Sequence, residues 1–262
     1  MKVDPAAGPS KRPRHGDLPS AANATDFAKG SATTASDKYA ALVDRASFQR
    51  LSAEMNAFDD KREVIIRESR DILKASKQAI FSMHRGAIDD ATAKLATADR
   101  VISRLAPLIQ EDRSLRTGSF AAAMEEYAEA QCFLHFLKHG TLITIDDLPS
   151  VEREEYLSGV VDFTGEVGRY AVAQATKRDV AKVEMCRDLV EAISGELIQF
   201  SFRNGPLRKK YDSLKYNLKK LENTLYELSL IPPGRPYEQH NNDDDVMDRP
   251  QVPSAAADDC NE

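Results

Sequence analysis

The sequence predicts an all-α fold, an antiparallel bundle of six helices between two disordered tails. Three observations carry this. Of the twelve prolines, four fall within the first 19 residues and five after Ile231, which leaves only Pro107, Pro149 and Pro206 between them. Proline removes a backbone donor and breaks helix interiors, so a stretch of about 190 residues holding three of them is free to be helical. That stretch also lacks Trp and is rich in Ala, Leu, Glu and Lys, residues of good helix propensity. Finally, apolar residues recur along it at helical spacing, and no strand of useful length competes.

The helices follow in order, punctuated by Gly86, Gly118, Gly140 and Gly205 and restarted after Pro149 and at Pro206. The first is expected from near Asp37, with an early break as an alternative, to Arg85, with Leu51, Met55, Phe58, Ile65, Ile72, Ile80 and Met83 as its apolar stripe. The second spans about Asp89 to Gln110, turning Leu95, Ile102, Leu105 and Ile109 inward, with Pro107 as a kink point. A third covers Ser119 to Lys138. After LITIDDLP come a fourth from Val151 to about Ala175, a fifth from Val180 to Phe202, and a sixth from Pro206 to Leu230. Residues 1–36 read as a disordered basic tail, 37–231 as the helical domain, and 232–262 as a disordered acidic tail, because neither end can bury enough apolar surface to order itself. Short connections between long amphipathic helices favour a bundle.

Composition narrows the function. The net charge is −6, but the segment from Glu238 onward holds eight acids and one base, so the remainder is close to neutral. A uniformly basic binder is excluded, and any nucleic-acid contact must come from charge placement. Three cysteines (Cys132, Cys186, Cys260) without a CxxC spacing support neither a disulfide framework nor a structural zinc site, and a reducing compartment is expected. No apolar run is long enough to span a membrane and the start has no secretory h-region, so a soluble intracellular protein is expected. Lys11, Arg12 and Arg14 in SKRPRHGD form a short basic cluster of the nuclear-import kind, which gives an expected location in nucleus and cytoplasm.

Two acid pairs stand out. In the third helix Glu126 and Glu129 are three apart, on a face that continues to Phe133 and Phe136. In the fourth, Asp162 and Glu166 are four apart, on a face shared with Ser158, Gly159 and Gly165. Glycines inside a helix each cost about 1 kcal/mol relative to Ala, so Gly159, Gly165 and Gly168 call for close packing or a site in compensation. Acids are common in this chain, and the first pair taken alone ranks as surface; the second is equally compatible with a small-residue packing notch. If the pairs converge, all-oxygen ligands favour Mg²⁺ or Mn²⁺ and phosphate chemistry. His135 and His139 have a metal-compatible spacing, but no Glu-x-x-His lies on these faces, which disfavours a di-iron site.

Basic residues offer a second surface. Arg67, Arg70, Lys74 and Lys77 make a stripe able to face a phosphate backbone, although Glu63, Glu68 and Asp71 make intrahelical pairing an equal alternative. The sixth helix interleaves Lys and Arg with Tyr211, Leu214, Leu218, Leu221 and Leu225, suited to covering either a core or a partner. No aromatic-rich platform for stacking bases is expected.

The segments KREVIIRESRDILKASKQAIFSMHR, EEYAEAQCFLHFLKHGTLITIDDL, EEYLSGVVDFTGEVGRYAV and PLRKKYDSLKYNLKKLENTLYELSL resemble, in the same order, those of the translin superfamily. The resemblance covers most of residues 40 to 230. Glu129 and Asp162 stand where the translin branch carries apolar residues, so the chain resembles the other, paralogous branch of the superfamily. This resemblance implies a seven-helix subunit that assembles with translin into a hollow hetero-oligomer. It further implies a Mg²⁺-dependent endoribonuclease of single-stranded RNA, linked to passenger-strand removal in RNA silencing and to transfer-RNA precursor processing. The family's acidic motif falls on Glu126, Glu129, Asp162 and Glu166, with Glu129 and Glu166 as the main Mg²⁺ ligands and Glu126 and Asp162 completing the site or positioning water. A carboxylate-held Mg²⁺ would polarise the phosphodiester and acidify an in-line water. The alternative is a non-catalytic translin-binding partner whose acids are structural and which binds single-stranded DNA or RNA.

Overall fold

The structure, a computed structural model, describes residues 42–230. Lys11, Arg12, Arg14, the basic and acidic tails and Cys260 lie outside the described residues. Six α-helices are described: α1 (Arg45–His84), α2 (Ile88–Glu111), α3 (Ser119–His139), α4 (Arg153–Thr176), α5 (Val180–Leu197) and α6 (Pro206–Leu230). Two short 3-10 turns, Arg113–Arg116 and Ile145–Asp147, link α2 to α3 and α3 to α4. The seventh helix implied by the family resemblance is not among the described residues: α1 is continuous, and LITIDDLP forms only the second of those turns.

The chain divides into two units at Ala53 and Glu54. Of the first, the described residues are the opening of α1, where Asp44 accepts hydrogen bonds from the Ala46 amide at 3.1 Å and the Ser47 hydroxyl at 2.6 Å. The first of these satisfies an orphan amide at the helix start. Leu51 and Met55, expected in the apolar stripe, are exposed; burial along α1 begins at Ile65 and runs through Ile72, Ala79 and Met83. The helix is about 60 Å long; Phe58 and Val64 already pack against the core while partly exposed, and full burial is confined to the second half. It ends in a Schellman motif: Gly86, at φ +76°, donates to Met83 O at 2.9 Å while Ala87 donates to Ser82 O at 2.9 Å.

In the main unit, α3 is the central element. It starts after Gly118 and ends at Gly140, both with positive φ. Phe120, Met124, Tyr127, Ala128, Cys132, Phe133 and Phe136 are all buried, residues that fall on more than one face of the helix. Its most extensive packing is against α4. There Phe133 and Phe136 meet Phe163 and Tyr170, with ring centroids 5.9–6.4 Å apart in tilted or edge-on arrangements.

The α4 start is fixed by a capping box in which Glu152 and Glu155 satisfy each other's backbone amides, and buried Glu155 also receives Arg116 at 2.5 Å. Helix α6 buries a single stripe, Leu214, Leu221, Thr224 and Leu228, against α4 and α5. That shows core covering by this amphipathic helix, while Tyr216 and Tyr226 point outward at 63% and 65% exposure.

Helix boundaries agree with expectation to within about two residues except at two ends: α1 begins at Arg45, after the non-helical residues 42–44, rather than near Asp37, and α5 stops at Leu197 rather than Phe202. After α5, SFRNG is rich in turn formers and precedes Pro206, which disfavours helical conformation in the residue before it. Pro107 lies within the last turns of α2 and the helix continues past it to Glu111.

The three α4 glycines prove unequal. A Cβ on Gly159 would sit 2.7 Å from Ala128 Cβ and 2.8 Å from the Glu129 amide nitrogen, whereas one on Gly168 would meet nothing within 4 Å. Gly159→Ala is therefore expected to destabilise the protein by about 2 kcal/mol, a fall in Tm of about 5 °C. Gly168→Ala should instead gain up to about 1 kcal/mol from helix propensity. Thermal unfolding of the full chain at fixed concentration measures both.

Candidate active site

The close approach at Gly159 brings the acid-bearing faces of α3 and α4 together. Glu129 is buried, 8% exposed, in the middle of α3. Burial first, and then the charges of Glu126, Asp162 and Glu166, push its carboxyl from an ordinary value of 4.5 up to about 8, against a downward pull from Lys210. Glu126 is raised in the same way, by burial and by the charges of Asp162 and Glu166, with Lys77 and Lys210 opposing. All four sequence-identified acids thus share one electrostatic neighbourhood. The α3–α4 packing brings the two pairs within electrostatic reach of one another, which helical spacing alone leaves open.

Three of the four have cationic or imidazole partners. Lys210 Nζ, from the first turns of α6, donates to Asp162 Oδ2 at 2.5 Å and Glu125 Oε2 at 2.7 Å. Burial pulls the Lys210 pKa down, but the hydrogen bonds and charges of Asp162 and Glu125 outweigh it and the net shift is upward. His84 Nε2, at the end of α1, donates to Glu166 Oε2 while its ring packs 4.8 Å from Phe133. Arg169 stands 3.7 Å from Glu166, and Lys77 reaches Glu126 at 3.8 Å. Glu129 has no such direct partner among the described residues, which is why its charged form is disfavoured.

His84 and Lys210 are the functional neighbours that sequence reasoning misses. They lie 82 and 48 residues from the acids they touch, and no local spacing signals such a pairing. The basic stripe behaves differently from the acids: Arg67, Arg70 and Lys74 are exposed on α1, and Lys77 alone of the four takes an ion pair among the described residues. Glu68, a suspected intrahelical partner, instead meets Arg104 of α2 at 2.9 Å. The His135 and His139 rings meet at 4.5 Å, tilted by 43°, at the end of α3, with His135 hydrogen-bonded to Thr141 rather than to the acids. Beside the acid neighbourhood, a cleft of about 630 Å³ opens between the first 3-10 turn, α3 and the start of α4, with Glu125 and Arg116 on its walls.

The donor chemistry suits a hard divalent cation: carboxylate oxygens only, with one buried acid whose ionised form lacks compensation. As they stand, no three His, Cys, Asp or Glu side chains among the described residues are grouped so as to hold a metal ion. Lys210 and His84 occupy the positions facing Asp162 and Glu166. No described helix is long and apolar enough to cross a membrane, and Cys132 and Cys186 are free and buried.

An all-α bundle with two acid pairs facing across its central helix crossing defines a carboxylate-lined helical protein. The Translin family profile matches residues 60–231, and the chain belongs to that family. Within it, the chain is a homologue of translin-associated protein X. It is 30% identical over 196 residues to the translin-associated protein X homolog of Schizosaccharomyces pombe, covering 68% of this chain and 85% of that protein. With translin-associated protein X of Pongo abelii it shares 28% over 229 residues, covering 70% and 78%. The solved structure of AfC3PO in complex with duplex RNA has the same fold, with a TM-score of 0.61 and 19% identity over 70% of this chain and 97% of that one.

The raised Glu129 pKa sets a pH dependence. The neutral carboxyl is favoured in the folded state, so its stabilisation is complete below about 4.5 and is lost as pH rises through about 8. In EDTA, Glu129→Gln should flatten stability across this window and leave the variant more stable than the parent at pH 8, by on the order of a few kcal/mol. Urea unfolding at several pH values tests it; parallel profiles would refute it.

Proposed function

We propose that this chain is the catalytic subunit of a Mg²⁺-dependent endoribonuclease that cleaves single-stranded RNA when assembled with translin. The observation that carries the proposal is the meeting of Glu126, Glu129, Asp162 and Glu166 in one electrostatic neighbourhood, with Glu129 buried at 8% exposure and pushed up to about 8. Such an arrangement is costly for a purely structural site, and a bound divalent cation would relieve it. Family membership and homology to translin-associated protein X support the partner, and the AfC3PO–duplex RNA structure supports RNA as the ligand class.

Glu129 and Glu166 would hold the cation, with Glu126 and Asp162 completing its surroundings. When bound, Mg²⁺ supplies charge for the phosphoryl oxygens and lowers the pKa of a ligated water. The chain's own residues do the rest. Asp162, held through Oδ2 by Lys210, would position water beside the cation. Lys210, fixed between Asp162 and Glu125, places a positive charge where a phosphate would approach, and His84 fixes the Glu166 side chain by hydrogen bonding. The wider role in silencing and transfer-RNA processing is part of the same proposal.

A second reading is favoured by one observation: Lys77, His84 and Lys210 already partner three of the acids, and no described group of three ligands is arranged for a metal. It makes the chain a non-catalytic translin partner that binds single-stranded nucleic acid. Glu129→Gln in the full complex separates the two. Loss of Mg²⁺-dependent cleavage of single-stranded RNA by roughly 100-fold or more, with assembly intact, is expected; undiminished cleavage would retire the catalytic assignment. Added Mg²⁺ should also raise the Tm of the parent complex at neutral pH and leave that of Glu129→Gln unchanged.

A further inference from the structure

The connection between α5 and α6 carries a cluster of rings that helical periodicity does not reveal. Phe200 and Phe202 lie face to face, with centroids 5.5 Å apart and planes 7° from parallel. Phe202 in turn meets the Tyr211 ring at 5.2 Å, and the Arg208 guanidinium sits 5.7 Å over Tyr211. Phe202 and Tyr211 are partly buried and packed against the core, so the inner part of the stack is fixed, whereas Phe200 at its outer end is 48% exposed.

The surroundings are basic. Between residues 200 and 215 stand Arg203, Arg208, Lys209, Lys210 and Lys215 against a single acid, Asp212, which Arg208 engages at 3.1 Å. Exposed aromatic faces flanked by cationic side chains are what an unpaired nucleic-acid strand requires: bases stack on rings regardless of sequence, and the backbone meets the charges. A duplex cannot use such a surface, because its bases are already stacked. The ring cluster is anchored next to the candidate active site along α6, since Tyr211 follows Lys210, which reaches Asp162.

We propose that Phe200, backed by Phe202 and behind it Tyr211, with Arg203 and Lys209 exposed in the same stretch of chain, is a base-stacking platform that holds unpaired RNA beside the acidic site. The proposal deepens the function given above and rests on it for the substrate class. It makes strand selection a property of this connection: only RNA with an accessible base face gains the stacking contact.

The test is equilibrium binding of a short labelled single-stranded RNA to the full chain co-purified with translin, read in EDTA so that cleavage plays no part. Phe200→Ala should weaken binding roughly 10-fold, leave affinity for the same strand made abasic unchanged, and be rescued by Phe200→Tyr. Arg203→Gln should weaken both ligands and lower the salt slope by about 0.7. Equal affinity of Phe200→Ala and the parent for the base-bearing strand, or equal losses on both strands, would overturn the platform. A parent complex that binds no single-stranded RNA would overturn the platform and the RNA reading together. Binding without Mg²⁺-dependent cleavage would overturn only the catalytic reading and leave the platform standing.

Discussion

The geometry of the site depends on how closely α3 and α4 approach. At Gly159 the two backbones come within the space that a single methyl group would fill, since a Cβ there would lie 2.7 Å from Ala128 Cβ and 2.9 Å from Glu125 O. The residues it would strike flank the acids themselves. Glu125, Ala128 and Glu129 belong to one and a half turns of α3, and Asp162 follows Gly159 by less than a turn. Steric permission at one position therefore fixes the separation of two pairs of carboxylates. The aromatic contacts of Phe133 and Phe136 with Phe163 and Tyr170 hold the same crossing further along. Together they make the spacing of the acids a consequence of packing, not of the acids' own interactions, which are repulsive.

That repulsion has to be balanced. Ionising a second and third carboxylate in a partly dry region grows progressively harder, and the chain answers with side chains drawn from three other places. His84 arrives from the end of α1, Lys77 from about two turns earlier on the same helix, and Lys210 from α6. Each serves an acid on the rim. None reaches Glu129, whose burial under α3's apolar neighbours leaves it the residue most in need of a counter-charge. The site thus has compensated edges and an uncompensated centre. In a merely structural polar cluster the deepest group would be expected to be the best satisfied, because an unpaired buried charge costs most.

Much of this was legible in the sequence, for reasons that can be assigned to particular residues. The helices were readable because Gly86, Gly118 and Gly140 stand where a left-handed or otherwise positive φ is required and Pro206 opens α6, and such residues punctuate a helix independently of tertiary context. The acid pairs were readable because spacings of three and four place side chains on one face. Spacing within a helix says nothing of what faces it, so the partners His84 and Lys210 were not. The exposure of Leu51 and Met55 escaped for the same reason: an apolar stripe announces that a face can be buried, and only the bundle's length decides how much of a 40-residue helix finds something to pack against. The ring cluster was hidden because Phe200 and Phe202 lie in a non-helical connection whose alternation has no helical meaning, and their neighbour Tyr211 reads, by period, as a core residue.

Helix α6 links these features through one anchored residue. Leu214 is 1% exposed, the first fully buried position of α6, and Lys210 and Tyr211 precede it by four and three residues. All three therefore share a face. Burying Leu214 sets the rotation of the helix, and with it both the reach of Lys210 toward Asp162 and the seat of Tyr211 under Phe202. Asn217 adds a second constraint by donating to Thr164 of α4 at 2.9 Å, which locks the axial position of α6 against the helix that carries Asp162 and Glu166. Pro206 pre-sets the backbone of the first turn, where a frayed end would otherwise let both side chains drift. The acidic neighbourhood and the aromatic connection are consequently not independent surfaces. A rotation of α6 that displaced Lys210 from the acids would also withdraw the ring that backs the stack, so the same packing contact governs charge balance at one and base access at the other.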